Sequence, residues 1–153
     1  MVDYSFYTGT YGGTAVPESS FTVYLQRARM VLDKYTFSTI VEQNGTYGQM
    51  VRGEFQEFTT AELLALQYAL CSLMDTLWNL DEAEKKALAG NTDGANIKSR
   101  SSGGESISYE AVKTAYDVAV GDETKKAGLY RNAIMAYVTP TAFRINPFYA
   151  GWG

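Results

Sequence analysis

The sequence has 153 residues, 46% of them hydrophobic and 20% charged, and a formal net charge of −4. This size and balance fit a single globular domain with its own core. The chain contains no histidine and one cysteine, which excludes histidine-based catalysis, histidine metal sites, an internal disulfide and a cysteine-rich zinc site. Because acidic residues outnumber basic ones, the molecule as a whole should repel a nucleic-acid backbone. We expect no signal peptide and no membrane-spanning segment.

Aromatic residues make up 14% of the chain, and 12 residues are tyrosines. Many of the rings lie near the two ends, outside any helical pattern. Residues 1–16 combine rings with glycines, which predicts an N-terminal arm ordered by its own chain or by a partner. Core packing and contact between subunits both stay open as uses for these rings. The candidates for inter-subunit contact are Tyr4, Phe6, Tyr7 and Tyr11.

The first predicted helix follows Pro17, which suits the first turn of a helix because its missing N–H costs nothing there. The apolar residues alternate in steps of four and three, which predicts one buried stripe. They are Phe21, Leu25, Ala28, Leu32 and Tyr35. Residues 36–58 are predicted to be a connection, in which Asn44-Gly45 marks a turn and a short β-hairpin stays open.

The strongest predicted helix starts at Thr59, which forms a capping box with Glu62 three residues later. A leucine stripe follows, and small apolar residues flank it, so this helix should lie at the centre of the bundle. The stripe is Leu63, Leu66, Leu70, Leu73 and Leu77. Cys71 is expected to be a small buried hydrophobic residue. Asp81 and Glu84 repeat the capping spacing, so the helix either continues there or gives way to a short one.

A long loop over residues 90–108 is predicted from a segment rich in Gly, Ser and Asn. Its Lys98 and Arg100 are either solvated charges or a basic tip that touches a phosphate backbone. A further helix should place four residues on one side, namely Tyr109, Val112, Tyr116 and Ala119. Gly121 then interrupts the chain, and Asp122 is positioned to cap a last helix over residues 123–137.

The expected fold is therefore all-α, a small bundle of about four helices with long loops and at most a short β-hairpin. We divide the chain into an N-terminal arm (residues 1–16), a helical domain (17–139) and an extended C-terminal tail (140–153). Pro140 separates the last helix from this tail, which is apolar and aromatic.

Candidate chemistry is sparse. The glycine-rich segments at residues 9–14 and 102–104 lack the Gly-Lys-Ser/Thr of a phosphate-binding loop. The carboxylate pairs Glu82/Glu84 and Glu54/Glu57 have spacings that are common on solvated surfaces. We therefore expect no catalytic residues, no cofactor and no metal.

Several short motifs occur in a fixed order along the chain. TYGGTAVPESSF (residues 10–21) leads into a helix that ends in LDKYTF (32–37). SSGGESISY (101–109) and LYRNA (129–133) follow. Together they resemble the head–tail connector, or adaptor, proteins of tailed double-stranded-DNA bacteriophages. The last motif departs from the family pattern because it lacks one leucine and the final glycine.

This resemblance implies a structural virion protein without catalytic activity, made in the cytoplasm of a bacterial host and located in the neck. Members form a dodecameric ring of identical subunits between the portal protein and the stopper or tail completion proteins. Packaged double-stranded DNA passes through the ring and makes transient, non-specific contact, for which Lys98 and Arg100 are candidates. The family's C-terminal segment docks on the portal. Here the corresponding residues are Phe143, Arg144, Phe148, Tyr149 and Trp152.

The alternative from a different class is a monomeric, aromatic-rich helical module that binds a peptide or a carbohydrate. An enzyme that uses carboxylates ranks third. Oligomeric state distinguishes the first two possibilities, because the connector needs a closed ring of heterologous contacts.

Overall fold

The computed structural model describes residues 2–36, 38–89 and 114–138. An N-terminal π-helical turn, Phe6–Thr10, precedes helix α1, Glu18–Tyr35. Three short strands follow: β1 (Ile40–Gln43), β2 (Thr46–Val51) and β3 (Glu54–Glu57). The remaining described elements are the long helix α2 (Thr60–Ala89), the short helix α3 (Ala115–Ala119) and helix α4 (Glu123–Met135). The predicted loop 90–108 and tail 140–153 lie outside the described residues.

Helix α1 begins one residue later than the sequence predicted. Pro17 has an extended backbone and is the N-cap, so Glu18 is the first helical residue. The predicted stripe is confirmed at Phe21, Ala28 and Leu32, whereas Leu25 and Tyr35 are only half-buried. Tyr24, which the periodicity did not include, is buried as well. The buried face is therefore rotated slightly towards Tyr24.

Residues 40–57 form a three-stranded antiparallel sheet in the order β1-β2-β3. The expectation of an all-α fold is therefore confirmed only in part: the described chain is predominantly helical, but it also contains one small sheet with a strand more than the hairpin that stayed open. Two tight turns connect the strands, and each contains consecutive residues with positive φ. These are Asn44-Gly45 (52° and 78°) and Arg52-Gly53 (52° and 81°). Such turns match the twist of a hairpin, which explains the meander.

The sheet register places Gln49 of β2 between Ile40 of β1 and Gln56 of β3. Gln49 is buried, and its side-chain amide donates a hydrogen bond of 2.9 Å to the Thr39 hydroxyl. Ile40 is buried on the same face of the sheet. This face therefore packs towards the helices.

Helix α2 begins with the predicted capping box. The Thr59 N–H donates to the Glu62 carboxylate at 2.8 Å, and the Glu62 N–H donates to the Thr59 hydroxyl at 3.2 Å. The helix continues without a break through Asp81 and Glu84, which settles the two possibilities in favour of one long helix. It contacts α1, α3 and α4 and is thus the central element.

Of the segment predicted as the third helix, the structure describes residues 114–119. Thr114 has an extended backbone and closes a capping box with Asp117, so the described helix begins at Ala115. Tyr109 and Val112 lie outside the described residues. Gly121 has a positive φ of 76°, and the Asp122 side chain accepts a hydrogen bond of 3.1 Å from the Lys125 N–H. The predicted break and cap before the last helix are confirmed.

Candidate functional site

The N-terminal segment, residues 2–16, packs against the helical body through its aromatic rings. Tyr7 is fully buried, while Tyr4, Phe6 and Tyr11 are half-buried. Tyr7 lies between Tyr4, Tyr11 and Phe21, with ring-centroid distances of 6.1, 5.9 and 6.0 Å. This burial contributes to the core of a single chain.

Asp75 of α2 joins this segment to the body. The Tyr7 hydroxyl donates to one Asp75 carboxylate oxygen at 2.6 Å, and the Tyr11 hydroxyl donates to the other at 3.2 Å. The Tyr7 oxygen in turn accepts a hydrogen bond of 2.9 Å from the Val16 N–H. One carboxylate therefore binds two tyrosines of the same segment. Both bonds are charge-assisted when Asp75 is ionised.

Burial dominates the electrostatics around this carboxylate. It raises the pKa of Asp75 above its usual value, although the hydrogen bonds from Tyr7 and Tyr11 act in the opposite direction. Burial, together with the hydrogen bond to Asp75, raises the pKa of Tyr7 to about 12. The pKa of Tyr11 is raised as well, mainly by burial and secondly by the nearby Asp75 charge. Both phenols therefore stay protonated, as donors, at neutral pH.

Two glycines of the first motif have defined structural roles beside Tyr7. Gly12 has a φ of 83°, a backbone conformation that favours glycine. Gly13 lies so close to the Tyr7 ring that a Cβ atom there would overlap with it. The two glycines of the Tyr-Gly-Gly sequence at residues 11–13 are thus explained by the turn at Gly12 and by the close packing of Gly13 on Tyr7.

These positions bear directly on the inter-subunit contacts expected from the sequence. Tyr7 has no exposed surface, so in this conformation it offers nothing to a neighbouring subunit. Tyr4, Phe6 and Tyr11 keep part of their surface, and a contact role for them stays a prediction. The arm is ordered by its own chain, one of the two possibilities left open above.

A surface cluster of rings was not singled out from the sequence. Tyr68 of α2 and Tyr137, just after α4, have ring centroids 5.5 Å apart. Phe6 contacts Tyr68, and Tyr11 contacts both tyrosines. All four rings are half-buried. The available signal was weak, because Tyr68 is a single aromatic residue beside the leucine stripe of α2.

A second carboxylate on α2 forms an ion pair. Asp81 accepts hydrogen bonds of 2.5 Å from both the Arg27 guanidinium and the Tyr24 hydroxyl. Tyr24 packs against Trp78 at a ring-centroid distance of 5.3 Å, and the Arg27 guanidinium lies 5.0 Å from the Tyr24 ring centre. Burial acts to raise the pKa of Asp81, but the hydrogen bonds from Arg27 and Tyr24 outweigh it and the pKa is lowered. This network links α1 to α2.

The outer face of α1 is exposed and partly apolar. Met30 and Val23, two turns apart on this face, are 71% and 56% exposed, and the uncharged Gln26 lies between them along the helix. A helix normally turns charged and polar residues to solvent. This face is therefore a candidate contact surface.

Open hollows lie beside α3, and described residues line two of them. One, of about 570 Å³, lies between α2 and α3 and is lined by side chains such as Lys85, Lys86, Tyr116 and Asp117. The other, of about 440 Å³, lies between α3 and α4 beside Val118 and Leu129. Within the described residues, no group of histidine, cysteine or carboxylate side chains could hold a metal ion, and no helix is long and apolar enough to cross a membrane.

The other predicted site residues cannot be placed. The portal-docking candidates Phe143, Arg144, Phe148, Tyr149 and Trp152, and the loop candidates Lys98 and Arg100, all lie outside the described residues. Comparison with protein-family models, curated proteins and solved structures finds no match to this chain.

Proposed function

We propose that this protein is a structural component of a tailed double-stranded-DNA bacteriophage, a ring between the portal and the tail. In this role it completes the head after DNA packaging and provides the surface for tail attachment. The observation that carries the proposal is the ordered set of motifs at residues 10–21, 32–37, 101–109 and 129–133. We propose a dodecamer in the virion neck, made in the bacterial cytoplasm, without enzymatic activity.

The positions of the motif residues support this proposal. The first motif builds the turn at Gly12, the packing of Gly13 on Tyr7 and the start of α1 after Pro17. The second motif ends α1, where the Thr36 hydroxyl donates to the Leu32 carbonyl oxygen at 2.8 Å. Motifs that set the local architecture are what a shared fold would retain.

The outer face of α1 supplies a surface for the ring. A closed ring uses heterologous contacts, in which one face of a subunit meets a different face of the next. Val23 and Met30 present apolar surface without a partner in the described part of the chain. Burying such surface against a second copy is favourable, at about 25 cal/mol per Å².

The net charge of −4 is compatible with a DNA channel, because an acidic lumen would not retain DNA during ejection. Lys98 and Arg100 remain the proposed sites of transient, non-specific contact with DNA. The tail, through Phe143, Arg144, Phe148, Tyr149 and Trp152, is the proposed portal-docking segment.

Oligomeric state tests the proposal. The full chain is examined by light scattering and negative-stain electron microscopy, alone and with the portal protein of the same phage. We expect rings, either spontaneously or once portal is added. A protein that stays monomeric in both conditions and binds a glycan or a peptide would instead be the aromatic-rich binding module.

A truncation tests the docking segment separately. Removal of residues 141–153 should abolish portal attachment and leave the helical circular dichroism signal unchanged. If the truncated chain still attaches to portal, the assignment of docking to the tail is wrong, whatever the ring experiment shows.

A further inference from the structure

In the N-terminal segment, residues 2–16, backbone groups and side chains have different hydrogen-bond partners. Its backbone bonds are internal, as in Tyr7 N–H to the Asp3 carbonyl (3.0 Å) and Gly13 N–H to the Tyr7 carbonyl (2.8 Å). Among the described residues, no backbone–backbone hydrogen bond joins this segment to the helical body. The segment is therefore held by side chains, namely two phenols on Asp75, a set of ring contacts, and the buried Val2 and Val16.

We propose that residues 2–16 form a clasp, by which we mean a segment that separates from the helical body as a unit. The Asp75 carboxylate helps to hold this clasp closed by binding Tyr7 and Tyr11. Opening leaves the internal backbone bonds intact, so it costs less than unfolding the chain. It would uncover the α2 surface around Cys71 and Asp75 and free the rings of Tyr7 and Tyr11 for another molecule. The inference does not depend on the proposed function, because every contact in the clasp lies within one chain.

The hinge of the clasp lies between Tyr11 and α1. Gly12 adopts a positive φ, and Gly12 and Thr14 are exposed. Pro17 then fixes the chain at the start of α1. The backbone can change its angles at the exposed Gly12 and Thr14, whereas the buried Gly13 and Val16 lose their cover when the segment opens.

Among the residues that the structure describes, the Asp75 carboxylate has no cationic partner, so few contacts hold the clasp closed at this point. Where the structure is described, the groups that face the Asp75 carboxylate are the hydroxyls of Tyr7 and Tyr11 and the thiol of Cys71. A buried carboxylate without a cation depends on its hydrogen bonds, and the loss of one partner leaves the other unsatisfied. Breaking the two phenol bonds therefore removes the hydrogen bonds that the segment makes to Asp75, and the contacts of Phe6 and Tyr11 with the Tyr68 ring separate in the same opening.

The reactivity of the Cys71 thiol provides a measure of clasp opening. Cys71 is the single cysteine of the chain, is fully buried, and lies one helical turn before Asp75. Residues four apart on a helix share a face, so Cys71 lies on the face of α2 whose Asp75 binds the Tyr7 and Tyr11 hydroxyls. Labelling by a disulfide reagent such as 5,5′-dithiobis(2-nitrobenzoate) therefore measures how often the segment opens, at fixed pH and reagent concentration.

The test follows Cys71 labelling of the full chain across a range of urea concentrations. We expect labelling at low urea to be faster than global unfolding allows and to depend on urea less steeply than global unfolding does, because clasp opening exposes only part of the surface that unfolding exposes. Asp75→Ala should accelerate it roughly tenfold or more, through the loss of hydrogen bonds to a charged group. Tyr11→Phe, which keeps the ring, should accelerate it by a smaller factor and keeps the test valid if Asp75→Ala fails to fold.

The matched control is Asp81→Ala, which removes a carboxylate that also binds a tyrosine on the same helix. It should lower global stability and leave labelling at low urea unchanged. The clasp is excluded if wild-type labelling follows global unfolding at every urea concentration. The clasp is equally excluded if Asp75→Ala and Asp81→Ala each accelerate labelling only in proportion to the loss in their global free energy of unfolding.

Discussion

Asp75 and Asp81 both lie on α2 and both accept a hydrogen bond from a tyrosine hydroxyl, but within the described parts of the chain only Asp81 is also paired with an arginine. The difference gives the two carboxylates opposite pKa shifts. The pKa of Asp75 is raised by burial, whereas hydrogen bonds from Arg27 and Tyr24 overcome burial and lower the pKa of Asp81. One helix thus carries one carboxylate whose pKa is raised and another whose pKa is lowered.

These shifts predict opposite effects of pH on stability. The contribution of Asp75 is fully present below its ordinary pKa of 3.8 and is lost as pH rises through its raised folded value. That of Asp81 is present above 3.8 and is lost as pH falls through its lowered folded value. For each variant we take the free energy of unfolding of the wild type minus that of the variant. We expect this difference to increase on acidification for Asp75→Asn and to decrease for Asp81→Asn.

Urea denaturation of the three proteins between about pH 3 and pH 7 measures both differences. If the two differences change in the same direction with pH, the electrostatic assignments are wrong.

Thr59→Ala should destabilise the protein by about 1 kcal/mol, because the N-cap hydroxyl of α2 accepts the Glu62 N–H. Thr60→Ala, at the exposed neighbouring position, is the control and should change stability by less than about 0.5 kcal/mol. Thermal and urea unfolding measure both. Equal effects at the two positions would mean that the capping box contributes nothing measurable.

Gly13→Ala should destabilise by about 1–3 kcal/mol, since the new Cβ overlaps the buried Tyr7 ring, which is also bound to Asp75. Gly128→Ala provides the contrast. Gly128 lies in α4, is exposed and has open space around the Cβ position, so alanine should stabilise by about 0.5–1 kcal/mol. Urea unfolding compares them, and a neutral Gly13→Ala would show that Tyr7 can move without cost.

Met30→Glu should prevent ring formation and leave the subunit folded, because it places a charge in the apolar contact proposed for the outer face of α1. Leu64→Glu adds the same charge at a 39% exposed position on α2 and should leave rings intact. Electron microscopy and light scattering, with circular dichroism as the folding check, provide the readout. Rings that form equally well with Met30→Glu would place the contact elsewhere.

Local sequence signals predicted the helix caps well. Thr59 with Glu62, and Asp122 before the last helix, act through hydrogen bonds that span three residues, so sequence spacing is sufficient to find them. The sheet was harder to predict. Asn44-Gly45 marked the first turn, but Arg52-Gly53 carries no strong hairpin signal, because arginine rarely adopts the positive φ that it has here.

The sequence by itself determined where α2 begins, which of its faces is apolar, and where Gly121 and Asp122 separate α3 from α4. These properties depend on side-chain period and on neighbours within one helical turn. Only the tertiary structure decided that Tyr7 is buried in its own chain, and that Asp75 rather than another acidic residue receives Tyr7 and Tyr11. Those contacts join residues more than 60 positions apart, and whether a ring is covered by its own chain depends on how the whole molecule packs.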